Sequence, residues 1–141
     1  MSLGFTGTQV GLTGPQRNTL KYILNSFYEK EFKIRHGDCI GADEEANNLA
    51  REIGFKTIAH PPINSVKRAF CSVDQELPAK EYLERNHDIV NYSRVLIACP
   101  KEAQEVLRSG TWATIRYARK QKKETIIIYF NGTLRRESYP T

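Results

Sequence analysis

Apolar positions fall into five short runs, and the stretches between them carry helical spacing. Leu3-Gly4-Phe5-Thr6 predicts a first strand, followed by a Gly/Thr-rich turn. Thr13-Gly14-Pro15 then reads as a helix start, with Pro15 suited to the first turn. Leu20, Ile23, Leu24 and Phe27 give that helix one apolar face. Residues 32–36 predict a second strand, and residues 41–53 a helix with Ala42, Ala46, Leu49, Ala50 and Ile53 on one side and Gly54 as its stop. Residues 55–59 form a third strand pattern, ended by His60-Pro61-Pro62. Residues 63–78 show no clear period, and Pro78-Ala79-Lys80 is expected to open a helix reaching about Val90. A fourth strand is expected over 94–99, a helix from Gly110 or Thr111, and a last strand over 125–130. Asn131-Gly132 supplies a turn before a polar tail.

Strands alternating with helices imply right-handed crossovers and a parallel sheet. The expected fold is α/β: a Rossmann-like three-layer domain with a mostly parallel five-stranded sheet. The 141 residues suit one domain over 1–141, large enough to bury a core without staples. No apolar run approaches the roughly 18 residues that a membrane span needs, so no membrane partner is expected. The first residues run straight into a strand pattern and predict no secretory leader. Cys39, Cys71 and Cys99 are odd in number and lack CxxC spacing, which fits a reducing cytoplasm and suggests neither a disulfide framework nor a zinc site. The net charge of +5 permits an anionic partner without requiring nucleic acid.

Ligands of open parallel sheets bind beyond the carboxyl ends of the strands. Candidate chemistry is therefore sought just after each strand. Thr6, Gly7 and Thr8 follow the first, while His36, Gly37, Asp38 and Asp43 follow the second. Ser109, Gly110 and Thr111 stand at a helix start after the fourth. Glycines let backbone amides approach an anion, and a helix N-terminus adds free N–H groups and a favourable dipole. Asp38 could hydrogen-bond ribose hydroxyls or merely cap the next helix, and Asp43 could simply favour that helix's first turn. His36 suits positioning or packing better than base catalysis. Arg85, with Asn86 beside it, could grip a phosphate bidentately or pair with Glu81 or Asp88. Trp112 could stack on a base or fill the core. Neither GxxxxGK[ST] nor GxGxxG is present, which argues against an ordinary NTPase or NAD enzyme. No resident cofactor and no metal are expected.

Taken together, these segments resemble the SLOG superfamily, which includes the Lonely Guy (LOG) phosphoribohydrolases and the DNA-processing protein DprA. The likeness spans nearly the whole chain. His36-Gly37-Asp38-Cys39-Ile40-Gly41-Ala42-Asp43 is similar to the HGGARGAD form of small stand-alone members, and Arg85-Asn86 to their RN. The resemblance implies a pocket for a nucleoside phosphate or nucleotide derivative, and a homodimer or higher homo-oligomer. LOG enzymes carry PGGxGTxxE, whose glutamate acts in glycosidic cleavage. Here the loop reads Arg108-Ser109-Gly110-Thr111-Trp112-Ala113-Thr114, placing Thr114 where the glutamate belongs. A threonine cannot serve as that carboxylate. Binding or sensing of a nucleotide-like small molecule is thus the leading expectation. One alternative is a LOG-like N-glycosidic hydrolase or transferase, with Asp38, Asp43 or Asp88 supplying the carboxylate. Another is DprA-like single-stranded DNA binding through the basic residues Arg116, Arg119, Lys120, Lys122 and Lys123.

Overall fold

The computed structural model describes residues 1–28 and 32–140. The chain begins in the middle of its sheet. β1 (Ser2–Gly7) is followed by α1 (Gly14–Phe27), β2 (Lys33–His36), α2 (Ala42–Ile53) and β3 (Lys56–Ala59). β4 (Gln75–Glu76), α3 (Tyr82–Asn91), β5 (Val95–Cys99), α4 (Gly110–Lys120), β6 (Glu124–Ile128) and β7 (Leu134–Glu137) complete the order. The strands lie in the order β4-β3-β2-β1-β5-β6-β7, all parallel except β7, which runs antiparallel to β6. The chain first works outward from β1 to β4, then returns to build β5 on the other side. That reversal creates a crevice beyond the carboxyl ends of β1 and β5.

Uninterrupted apolar runs become strands here because both faces of the sheet are covered. In β5, Val95, Ile97 and Cys99 join the core under α1 and α2, together with Phe5, Leu20, Ile34 and Ala46. Leu96 instead packs with Ile89, Val90 and Ala118, and Ala98 with Trp112, Ile115 and Ile127, beneath α3 and α4. At 25 cal/mol per Å², each fully buried Leu or Ile contributes roughly 1.5–3 kcal/mol. α1 starts with a complete capping box: Thr13 Oγ1 accepts from Gln16 N, and Gln16 Oε1 accepts from Thr13 N. The buried Gln16 amide then donates to Pro100 O and Ile128 O, tying the ends of β5 and β6 together.

The α/β class, the parallel sheet and the helix order are as the pattern predicts. The strand count is not: seven strands replace the expected five. β7 lies in the expected polar tail, where Leu134-Arg135-Arg136-Glu137 carries no apolar alternation. It pairs at the sheet edge through backbone bonds, with Arg136 bridged to Glu124 and Glu137 held bidentately by Arg119. Charge on an edge strand also discourages pairing with other chains. β4 is a two-residue strand in the aperiodic 63–78 region. α3 begins at Tyr82, not at Pro78, because Lys80 is drawn into an extended bridge with Pro62. The last central strand ends at Ile128, not at 130, since Tyr129 N turns to Thr133 O.

Candidate ligand-binding site

A cavity of about 390 Å³ opens at the switch point between β1 and β5. Thr6, Gly7 and Thr8 form its floor, Gly37 and Asp43 one wall, and Arg85 and Asn86 of α3 another. Ser109, Gly110 and Thr111 at the start of α4 close the remaining side. Groups separated by about a hundred positions therefore meet, because parallel strands deliver all their carboxyl ends to one edge.

The wall from β1 and β2 is held tightly. Thr8 O accepts from Gly11 N at 3.2 Å and from Ala42 N at 3.0 Å, which docks the β1 loop on the start of α2. Gly41 has φ 88 and lies against the Thr8 and Gln9 backbone, so a side chain there would be both strained and obstructed. His36 is buried, with Nδ1 accepting from Asp38 N at 3.0 Å and Nε2 bonded to Asn47 Oδ1 at 2.9 Å. Nδ1 as acceptor puts the ring proton on Nε2. Asp38, at φ 56, is also buried. Its Oδ2 takes Arg68 Nε at 2.6 Å and its Oδ1 takes Cys71 N at 2.8 Å. Neither His36 nor Asp38 lines the cavity; they hold the loop that does.

Arg85 is 5% exposed. Its Nη1 donates to Gly37 O at 2.5 Å and His60 O at 3.1 Å, and its Nε to Asn86 Oδ1 at 2.7 Å. The ion pairs with Glu81 or Asp88 weighed from the sequence do not form; Asp88 pairs with Lys80 at 2.7 Å. Arg85 thus joins α3 to the ends of β2 and β3 while presenting part of its guanidinium to the cavity. His60, which lies in a second cleft of about 260 Å³ with Arg35, Lys80 and Tyr92, is pushed down to about 4 by burial and then by the Arg35 cation. Burial pushes the Cys39 thiol up.

The opposite side of the cavity is open. Ser109 caps α4, its Oγ accepting from Trp112 N at 3.2 Å. Gly110 is exposed, with no atom within 4 Å of where a Cβ would stand. Lys101, Glu102 and Arg108 of the β5–α4 loop complete this side. Among the described residues, neither Lys101 nor Arg108 has a carboxylate within 4 Å. Neither cation is among the candidate site residues drawn from the sequence, where Arg108 figures only in the loop preceding α4, although their position after a strand, beyond the helix-breaking Pro100, marks them for the same edge. Tyr82 and Gln9 are further lining residues absent from that set.

Two other expectations resolve into packing. Trp112 is 3% exposed and sits among Ala98, Ile115 and Ile127, so it fills the core and does not line the cavity. Thr114 is buried, and its Oγ1 turns back to Gly110 O at 2.9 Å. The fold also clusters groups that sequence spacing kept apart: ligand atoms of His36, Asp38 and Cys71 lie within 4.8 Å of one another. Arg68 and the loop N–H groups already occupy the Asp38 carboxylate, and burial, then Asp38 itself, pushes the Cys71 thiol up. A cation there would have to displace the Arg68 guanidinium, so the donors present serve the loop rather than a metal.

No family model matches the sequence, and none of the curated proteins does. Solved structures match it well. The molybdenum cofactor binding protein from the phototrophic bacterium Rippkaea orientalis is 21% identical, with a TM-score of 0.71 over 91% of this chain and 76% of that one. A structural genomics target, TM1055, is 17% identical, with a TM-score of 0.64 over 88% of this chain and 71% of that one. The molybdenum cofactor carrier protein from Chlamydomonas reinhardtii is 22% identical, with a TM-score of 0.62 over 89% and 74%. At such identities the likeness is one of fold. The chain has a Rossmann-like α/β fold, and none of its helices among the described residues is long and apolar enough to cross a membrane.

Proposed function

We propose that this protein binds or senses a nucleotide-type small molecule, a nucleoside phosphate or nucleotide derivative, in the cavity at the β1–β5 switch point. One observation carries the reading: the unobstructed N-terminus of α4 opens into the cavity beside two cations, Lys101 and Arg108, that lack carboxylate partners among the described residues. Free N–H groups, the helix dipole and both side chains favour an anion at that point. The volume suits one small molecule of nucleotide size.

Binding is preferred over glycosidic cleavage because α4 offers Thr114, already bonded to its own helix, in place of a carboxylate. Of the three aspartates that could compensate, Asp38 is consumed by Arg68 and Asp88 by Lys80, leaving Asp43 alone on the cavity wall. DNA binding draws less support, since Arg116 and Arg119 are engaged by Glu105 and Glu137.

The test is a melting-temperature screen with nucleoside mono- and diphosphates, nucleotide sugars and the molybdenum cofactor named for two of the similar structures. A true ligand at a hundredfold excess over its dissociation constant stabilises by about 2.7 kcal/mol, which raises the midpoint by roughly 5–10 °C. Mass spectrometry of heat-denatured purified protein identifies whatever co-purifies. A flat response across the whole panel, with no small molecule released, refutes the reading.

A further inference from the structure

The second cleft, of about 260 Å³, lies between α3 and the β2–β3 part of the sheet. Half-buried Arg35 borders it with only part of its guanidinium in use. Nε donates to Ser2 Oγ and Nη1 to His60 Nε2, both at 3.1 Å, while Nη2 has no partner among the described residues. No carboxylate among those residues stands within 4 Å of it either. The other cations of the cleft are spent, Lys80 on Asp88 and Glu84, Arg85 on Gly37 O and His60 O. Burial pushes the Arg35 guanidinium down, and the Tyr92 phenol beneath it acts in the other direction. A cation drawn out of water without a counter-ion is costly. His60 shows a matching surplus. Its Nε2 accepts from Arg35, so its ring proton sits on Nδ1. No described residue accepts from Nδ1, yet it is not sealed: among the described residues, the sealed side-chain nitrogens and oxygens without partners are Asp43 Oδ1 and Trp112 Nε1.

We propose that this cleft binds a small organic carboxylate, gripped by the free edge of the Arg35 guanidinium and seated on Leu77, Pro78 and Tyr92. The site is separate from the cavity at the start of α4 and goes beyond the reading given for it. His60 acts as a positioning residue, fixing the guanidinium through Nε2, and its Nδ1–H adds a neutral donor. The guanidinium fork matches the plane of a carboxylate. Charge favours the same class: Arg35 has one positive charge to balance, whereas a phosphate ester would bring about two negative charges toward Asp88, which borders the same cleft. Leu77, Pro78 and Tyr92 supply an apolar wall. The volume lies below the roughly 300–1,000 Å³ typical of pockets for drug-sized ligands, which limits the apolar body to about one ring.

NMR titration of the protein carrying 15N-labelled histidine and arginine compares three probes: benzoate, benzamide and acetate. Benzoate should bind with a dissociation constant of about 1 mM or tighter. Benzamide keeps the shape without the charge and acetate keeps the charge without the ring, so each should bind about tenfold more weakly. Benzoate should move the His60 ring and Arg35 side-chain resonances and leave those of Arg108, which borders the other cavity, in place. Arg35→Gln keeps a side-chain amide donor and removes the charge, and it should abolish the preference for benzoate over benzamide. The wild-type spectra do not depend on that variant folding. Silence toward benzoate at about 10 mM, equal binding of benzoate and benzamide or of benzoate and acetate, movement of Arg108 in place of His60, or a preference that survives Arg35→Gln overturns this inference and leaves the reading of the other cavity standing.

Discussion

The β2–α2 loop and the β5–α4 loop border one cavity and carry similar residue types, glycines beside hydroxyl, acidic and basic groups. They are built in opposite ways. In the first, His36 and Asp38 are buried and saturated by Asn47, Arg68 and the Cys71 backbone, and Arg85 of α3 ties the loop down through Gly37 O and His60 O. In the second, Lys101, Arg108 and Gly110 are exposed, and Ser109 does no more than cap its helix. A rigid wall faces an open one. Charged residues on the rigid side principally maintain shape, whereas those on the open side remain free to meet a ligand.

Substitutions can break this contrast. The largest effect is expected from Asp38→Asn, which keeps the left-handed backbone that asparagine tolerates but removes the buried partner of Arg68. Urea denaturation should show a loss of about 3–5 kcal/mol. A loss below about 1 kcal/mol would mean that the pair does not hold the loop.

The pH dependence comes next. His60 titrates near 4 in the folded protein, against an ordinary value of 6.5. Its neutral form is therefore favoured by folding, so its contribution is complete above pH 6.5 and disappears as pH falls toward 4. Roughly 2–3 kcal/mol should vanish across that window, and His60→Gln should flatten the profile. An equal slope in both proteins would remove His60 from the account.

On the open side, replacing Lys101 and Arg108 together by glutamine should weaken phosphate binding about tenfold. Stability should change by about 0.5 kcal/mol or less, as is usual for exposed positions. Gly110→Ala is the mildest case, because space for its Cβ is empty and the φ is ordinary for any residue. A stability change beyond about 0.5 kcal/mol there would show that the open wall is more constrained than its geometry indicates.

How legible the site was in the sequence differs between the same two regions. Gly7, Thr8, Gly37, Asp43, Arg85 and Ser109-Gly110-Thr111 could be gathered from the rule that parallel sheets bind at their carboxyl edge, and all line the cavity. The assignment of duties within the set could not be read. His36, Asp38 and Asp43 all stood as candidate ligand contacts in the chain, and only three-dimensional saturation separates the two whose polar atoms are all engaged from Asp43, which has one unpartnered oxygen. Trp112 was ambiguous because helical periodicity does not say which neighbour covers a face.

The sequence by itself determined the α/β class, the parallel core and the starts of α1, α2 and α4, because these follow from local periodicity, capping and the burial of β-branched runs on both sheet faces. β4 and β7 escaped because edge strands draw their order from backbone pairing with a neighbour already in place, which requires no apolar pattern of their own. Only the tertiary structure decided which polar side chains were spent and which were left over, since a hydrogen bond has a limited number of partners and whichever group arrives closest takes them.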